Sequence, residues 1–271
     1  MAIVLRPYFK GVGVINLDLI SREKFEYIAR KQLGYQLQDA EKDYFLCLVL
    51  EIIYSSPLKS KLIFKGGTAI HHCFLKQYRF SEDLDFTSLD KTISLQDLKC
   101  IFNSYPIFKF KKTFTSKNTL KIEKLKYSGI LDTPNNLKIE VDKSQNIYLQ
   151  PLQKKYKNSW GIIFTVLVMD PIEICAEKIR ACNERFRYRD FYDLYLLTDK
   201  LNISINRSIK ILPKKEIRKT IQKENLLKNL HYALEEVAEK SDTIAYRYKI
   251  SNKKLINFIK DLKIPKILKN T

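Results

Sequence analysis

The sequence predicts an α+β protein: a mixed sheet flanked by helices, followed by a helical bundle. Three patterns predict it. Apolar residues recur at helical spacing before residue 55, apolar and polar residues alternate strictly at 137–142, and helical spacing returns from Asp170. The first domain is expected over residues 1–167, including an N-terminal helical arm, and the bundle over 168–271.

Residues 21–33 carry Phe25, Ile28, Ala29 and Leu33 on one helical face. Residues 37–54 are apolar nearly all round (Tyr44, Phe45, Leu48, Val49, Ile52, Ile53), as in a helix buried between other elements. Pro57 closes this arm. Gly66 and Gly67 interrupt a short apolar run, and a helix is expected from Thr68 to about Leu75. Residues 108–115 and 119–127 mix β-formers with lysines, as strands with one solvated face do. Leu137, Ile139 and Val141 alternate with Lys138, Glu140 and Asp142, which sets three apolar side chains inward and three polar ones on the other face. Asp170 and Pro171 supply an N-cap and a first-turn proline, with Glu173 placed like the acid of a capping box. Ile172, Cys175, Ile179, Cys182 and Phe186 then form one apolar stripe. A second helix begins near Asp190, with Phe191, Leu194 and Tyr195 facing the core, and the Lys-rich remainder predicts further helices.

A length of 271 residues with 45% hydrophobic content is ample for a buried core, and 7 Gly and 8 Pro argue against disorder or a turn-dense sandwich. Five cysteines without CxxC spacing, and no signal peptide, point to reduced thiols in a cytoplasmic protein. His71, His72 and Cys73 are adjacent on a helix and diverge, so a structural role fits them better than zinc binding. The apolar run 45–53 is interrupted by Glu51 and too short to cross a bilayer, so no membrane partner is expected. The net charge of +19 favours phosphate-rich partners, although a proteome-wide lysine bias gives the same number.

The chemistry concentrates in Lys65-Gly66-Gly67-Thr68-Ala69-Ile70 and Arg79-Phe80-Ser81-Glu82-Asp83-Leu84-Asp85-Phe86. Two glycines at a helix mouth let backbone N–H groups approach phosphate oxygens, and Thr68 can add a hydroxyl. Asp83 and Asp85 lie two apart, so on a strand both carboxylates share a face. Paired carboxylates suit hard Mg²⁺ (or Mn²⁺) when waters and substrate phosphates supply its other ligands. Two such ions can activate a hydroxyl and neutralise leaving pyrophosphate. The order Lys-Gly-Gly-Thr excludes a P-loop, and Gly11-Val12-Gly13 lacks the third glycine of a dinucleotide fingerprint.

This stretch resembles the DNA polymerase β-like nucleotidyltransferase superfamily, whose signature is a glycine turn followed by Asp-x-Asp. More narrowly, Lys-Gly-Gly-Thr-Ala with Arg-x-Ser-x-Asp-x-Asp-Phe is similar to the AbiEii/MenT family, the toxin half of some toxin–antitoxin pairs. The likeness continues through Glu177-Lys178-Ile179-Arg180-Ala181 and Arg189-Asp190-Phe191-Tyr192-Asp193-Leu194-Tyr195. It implies a polymerase β-like fold and transfer of a nucleotidyl group from an NTP to a hydroxyl, with RNA or tRNA as acceptor and a cognate antitoxin as partner. By the same resemblance, Gly66, Gly67 and Ser81 hold the triphosphate, flanked by Lys65 and Thr68, while Asp83 and Asp85 bind metal. Lys178 contacts NTP phosphate, and Asp190 or Asp193 completes the site from the helical side. The third carboxylate is Glu140 or Asp142, with Glu140 preferred.

Each residue also has a structural reading. Asp83 and Asp85 could end a solvated strand, and Lys178 could salt-bridge Glu173, Glu177 or Asp190. Asp190 and Asp193 could be surface acids, Glu82 is expected to face solvent, and Lys65 and Arg79 could be surface charge. Lys178→Ala is expected to slow transfer with little loss of stability. The rival function is a non-catalytic nucleic-acid-binding protein on a decayed nucleotidyltransferase fold, favoured by 17 Lys/Arg against 7 Asp/Glu in residues 201–271. An RNA acceptor requires a basic surface continuous with Asp83 and Asp85. The lysines at 109, 111, 112, 117, 121, 124 and 126, and those beyond 210, are the candidates.

Overall fold

The computed structural model describes residues 13–239 and 244–270, so Gly11, Val12 and Lys240 fall outside it. The chain forms two compact units. The first comprises residues up to Ser144 together with Pro151–Val168, and the second comprises Gln145–Gln150 and Met169–Thr271.

In the first unit Ser21 caps α1 (Arg22–Tyr27), which runs into a π-helical turn (Ile28–Leu33) ended by Gly34 in the left-handed conformation. Helix α2 (Leu37–Tyr54) is buried along most of its length, as its all-round apolar sequence predicts. Its buried Asp43 is satisfied by Trp160 Nε1 at 2.8 Å and Gln77 Nε2 at 3.0 Å, with His72 Nε2 at 3.2 Å. His72 also bonds Lys157 O through Nδ1 at 3.0 Å and stacks on Tyr156, which gives it a structural role.

The strands are β1 (Leu62–Lys65), β2 (Asp83–Ser88), β3 (Lys109–Thr115), β4 (Thr119–Ser128), β5 (Pro134–Asp142), β6 (Leu152–Lys155) and β7 (Thr165–Val168). Among the described residues they make one sheet in the order β3-β4-β5-β2-β1-β7-β6. The pairs β2–β5 and β1–β7 are parallel and the others antiparallel, so the sheet is mixed. One face is apolar. Phe64, Phe86 and Val141 are register partners of one another or of Leu120, and all are buried. Phe45 of α2 stacks on Tyr127 of β4 at 3.9 Å, and Tyr54 packs on Phe86, so α2 covers this face. The period-two rule then sends the charged residues of the same strands to the opposite face. Between β1 and β2 lies α3 (Gly66–Ala69), continued by a π-helical segment (Ile70–Phe74). Helix α4 (Leu95–Cys100) carries a capping box, Ser94 with Asp97, that the sequence reading passed over.

The second unit is helical: α5 (Pro171–Glu184), α6 (Tyr188–Asp199), α7 (Ile205–Ile211), α8 (Lys223–Ala238) and α9 (Asn252–Asp261). Asp170 caps α5 through Ile172 N at 2.8 Å, as its sequence predicts. Glu173 does not complete a capping box. It is fully buried, ion-paired with Lys215, and accepts the N–H groups of Tyr148 and Leu149, at 3.0 and 2.8 Å. Lys215 also donates to Asn146 O at 2.8 Å. This pair fastens residues 145–150 to α5, which is why that segment belongs to the second unit. The apolar stripe of α5 holds at Cys175, Ile179 and Cys182. Phe186 lies beyond the helix end and is 46% exposed. The cysteines are all free thiols, and burial pushes those of Cys47, Cys73, Cys175 and Cys182 up, which leaves them poor nucleophiles. No helix among the described residues is long and apolar enough to cross a membrane.

Removing one member of a buried ion pair leaves the other charge uncompensated, at a cost of about 3–5 kcal/mol. Lys215→Ala is therefore expected to lower the melting temperature sharply. Adding Glu173→Gln to that variant should recover part of the loss in thermal denaturation, because the stranded charge is gone.

Candidate functional site

Strand β1 ends at Lys65 and the chain turns at once into α3. Gly66 adopts φ +79°, and a Cβ there would lie 2.5 Å from Asp85 Oδ2, so no other residue fits. Gly67 meets the same limit from the other side, since its Cβ would fall 2.3 Å from Arg79 Nη2. Arg79 is buried and donates to Phe80 O at 2.8 Å. In sequence Arg79 is indistinguishable from flanking surface charge, whereas in the structure its guanidinium braces the glycine turn. Its place in Arg-x-Ser-x-Asp-x-Asp was the available signal. Thr68 Oγ1 lies 2.6 Å from Asp83 O and 2.9 Å from Ser81 Oγ. A carbonyl only accepts, so Thr68 donates to Asp83 and receives its second bond from Ser81. That hydroxyl holds the strand start against the turn.

Strand register assembles the charges. Cα partners run Lys65–Asp85 across β1–β2, Asp85–Glu140 across β2–β5, and Glu140–Lys121 across β5–β4. Asp83 sits beside Lys138 in the next row on the same face. Glu140 Oε2 lies 3.1 Å from Lys121 Nζ and 3.3 Å from Lys138 Nζ, and Lys138 Nζ is 3.7 Å from Asp83 Oδ2. Asp142 is differently engaged. It faces Thr87, accepts Ser144 N and Oγ at 2.8 Å each, and pairs with Lys65 at 3.6 Å, so it serves the turn after β5. Glu82 points to Lys42 of α2, at 2.9 Å.

Asp85 carries the electrostatic signature of the site. Burial, then the neighbouring Asp83 and Glu140, push its carboxyl up to about 6 against the pull of Lys65 and Lys138. Crowded hard oxygen donors of this kind are relieved by a divalent cation. The gap left by Gly66 keeps the Asp85 carboxylate clear of any side chain at the turn. The residues fit Mg²⁺ or Mn²⁺ bound through Asp83 and Asp85. Among the described residues, no three His, Cys, Asp or Glu side chains form a metal cage by themselves. A cation held here would need its remaining ligands from substrate phosphate and water.

The profile of the family described as nucleotidyl transferase AbiEii toxin, type IV TA system, matches residues 48–262. The chain belongs to the AbiEii family. It is accordingly an enzyme, a nucleotidyltransferase. Solved structures agree on the fold. MenT4, a nucleotidyltransferase toxin from Mycobacterium tuberculosis, superposes with a TM-score of 0.53 at 18% identity, over 82% of this chain and 73% of its own. JHP933 from Helicobacter pylori gives 0.55 at 16% identity, over 82% and 90%. No curated protein sequence matches.

The AbiEii match extends through the second unit, where Lys178, Asp190 and Asp193 meet. Lys178 Nζ lies 2.8 Å from Asp190 Oδ1 and 2.7 Å from Asp193 Oδ2, and Arg185 Nε is 2.7 Å from Asp190 Oδ2. Both aspartates are fully buried, so they are not surface acids, and Lys178 is 8% exposed. Burial alone would raise the Asp190 carboxyl, but Lys178 and Arg185 hold it at about 2. These ion pairs overturn the expectation that Lys178→Ala leaves stability nearly intact.

Gly66→Ala is expected to lose transfer activity, through strain at positive φ and collision with Asp85, in a standard turnover assay. Without divalent cation, lowering the pH from about 6 to 4 stabilises the chain through Asp85, because the folded state there holds a proton that the unfolded chain has released. Asp85→Asn removes that gain and is more stable at pH 7 by about 1–3 kcal/mol in urea denaturation. The lowered Asp190 carboxyl acts oppositely: its contribution is complete above about pH 4 and lost towards pH 2, and Lys178→Ala costs about 3–5 kcal/mol at neutral pH.

Proposed function

We propose that the chain moves a nucleotidyl group from an NTP to a hydroxyl of an RNA acceptor, a tRNA end being the leading candidate, with Mg²⁺ (or Mn²⁺) at Asp83, Asp85 and Glu140. In this proposal it acts in the cytoplasm as the toxin of a pair with a cognate antitoxin. The observation that carries the acceptor is one of register. On β3 Lys109 and Lys112, on β4 Lys121, Lys124 and Lys126, and on β5 Lys138 fall on the sheet face of Asp83 and Asp85. The opposite face of the same strands holds Phe110, Leu120, Ile122, Leu125 and Tyr127. A compositional bias would scatter lysines over every face, whereas these form a lane leading to the carboxylates. Lane and carboxylates together favour an enzyme over the non-catalytic alternative.

The acceptor hydroxyl releases its proton to solvent, its oxygen bonds to the α-phosphorus of the NTP, the bridging bond to the β-phosphate breaks, and pyrophosphate leaves. A divalent cation held by Asp83 and Asp85 would supply charge neutralisation at the reacting phosphates and polarisation of the acceptor hydroxyl. Around it, Gly66 and Gly67 let the backbone approach triphosphate oxygens, with Ser81, Lys65 and Thr68 framing that turn. Asp83, Asp85 and Glu140 supply hard oxygens, and Lys65 and Lys121 limit the repulsion among them. In the same proposal Lys178 meets NTP phosphate, Asp190 the nucleotide, and Asp193 takes part in catalysis, a reading supported by the motif resemblance of residues 177–195.

The test is incubation with each α-labelled NTP, Mg²⁺ and total cellular RNA. Labelled RNA is expected with the wild type and none with Asp83→Asn or Asp85→Asn. Near wild-type labelling by either variant would sink the metal assignment, and salt-sensitive RNA binding with no labelling would favour the non-catalytic reading. Replacing Lys109, Lys111 and Lys112 together by Gln should weaken RNA binding and flatten its salt dependence while leaving NTP binding intact.

A further inference from the structure

On β3, β4 and β5 the sheet face that carries the carboxylates is polar and rich in lysine, and one large apolar side chain stands open on it. Phe114 on β3 is 48% exposed. Cα register joins Phe114 to Lys121, Lys121 to Glu140, Glu140 to Asp85, and Asp85 to Lys65. A single row therefore crosses five strands, from an open phenyl ring to the carboxylate pair. Strand neighbours lie roughly 4.8 Å apart, which sets Phe114 roughly 14 Å from Asp85 along the sheet.

The setting of the ring is cationic. Lys112 on its own strand, ion-paired with Glu123, and Lys124 opposite Lys112 are both exposed on the same face. The ring's direct partner is Lys121, which pairs with Glu140; lysines still outnumber the acids around the ring. Burial of the core does not require an aromatic here, since Lys109 and Lys112 occupy equivalent positions of the same strand. A protein partner would be matched by a broader apolar patch. An isolated ring flanked by ammonium groups matches single-stranded nucleic acid, whose bases stack on aromatic faces while its phosphates meet lysines.

We propose that Phe114 is a stacking platform for an unpaired base of the RNA acceptor, a few nucleotides from the terminal hydroxyl that reaches Asp83 and Asp85. The proposal rests on the RNA-acceptor reading above and deepens it: the acceptor end is single-stranded. Phe114 positions that end and discriminates it from a blunt duplex, and it plays no part in NTP binding. The lysines hold either form through its phosphates.

The test uses the full-length protein and two labelled RNA hairpins, one with a short unpaired 3′ overhang and one blunt, compared by fluorescence anisotropy. Phe114→Ala is expected to weaken the overhang hairpin about tenfold, about 1.4 kcal/mol, with blunt-hairpin and NTP binding unchanged. Phe114→Trp should retain affinity, and its emission should be quenched by the overhang but not by an abasic overhang. The sequence contains 1 Trp, the buried Trp160, so the new indole is the one that reports. Unchanged overhang affinity in Phe114→Ala, alongside weakened binding in the Lys109, Lys111 and Lys112 variant, overturns the stacking role and leaves the RNA acceptor standing. Equal losses for overhang and blunt hairpins also overturn it. If neither variant weakens RNA binding, the RNA-acceptor reading itself fails and takes the stacking role with it.

Discussion

The parallel pairing of β2 with β5 sets Asp85 beside Glu140, and the charged face of the sheet is arranged around that juxtaposition. Two carboxylates on adjacent strands repel, and like charges directly opposite destabilise a sheet. Lys65 and Lys121 bracket the pair in the same row, and Lys138 stands between Asp83 and Glu140. These lysines reduce the repulsion without removing it, and the Asp85 carboxyl is held up by burial first and by Asp83 and Glu140 after it. The fold accepts that cost because the opposite face of the same strands is a continuous apolar layer under α2. The stability of that layer fixes the register, and the register fixes the carboxylates.

The glycine turn depends on the same constraint. Asp85 can stand close to the end of β1 because Gly66 has no Cβ, and Arg79 can brace the turn because Gly67 has none. Thr68 links turn to strand through Asp83 O. The glycine turn and the acidic pair are thus one mechanical piece. Substitutions anywhere in it couple to the rest.

The helical unit solves a different electrostatic problem. Glu173 with Lys215, and Lys178 with Asp190 and Asp193, take charges out of water that would be costly to bury without partners. Each is compensated by several partners at close range, including the backbone N–H groups of Tyr148 and Leu149 at Glu173. Lys178, Asp190 and Asp193 thereby carry structural load alongside the roles proposed for them, and stability and activity must be measured separately for each variant.

Much of this was legible in the chain itself, wherever the deciding interactions are local. Side-chain direction on a strand alternates by geometry, so Asp83 with Asp85, and Lys138 with Glu140 and Asp142, share faces whatever surrounds them. Apolar residues all round 37–54 demand burial, and Asp170-Pro171 starts a helix by its own hydrogen bonding. Pairing between strands and partners for buried charges are settled by contacts remote in sequence. Period two left Glu140 and Asp142 equivalent, and tertiary register separated them, with Asp142 drawn to Ser144 and Lys65. A capping-box pattern could not reveal that Glu173 turns inward to Lys215, nor an apolar stripe that α5 ends before Phe186. The lysines of β3 and β4 showed only as basic strands. Their common face with Asp85, and the place of Phe114 in the same row, follow from the bulged pairing of β3, β4 and β5, which no local pattern encodes.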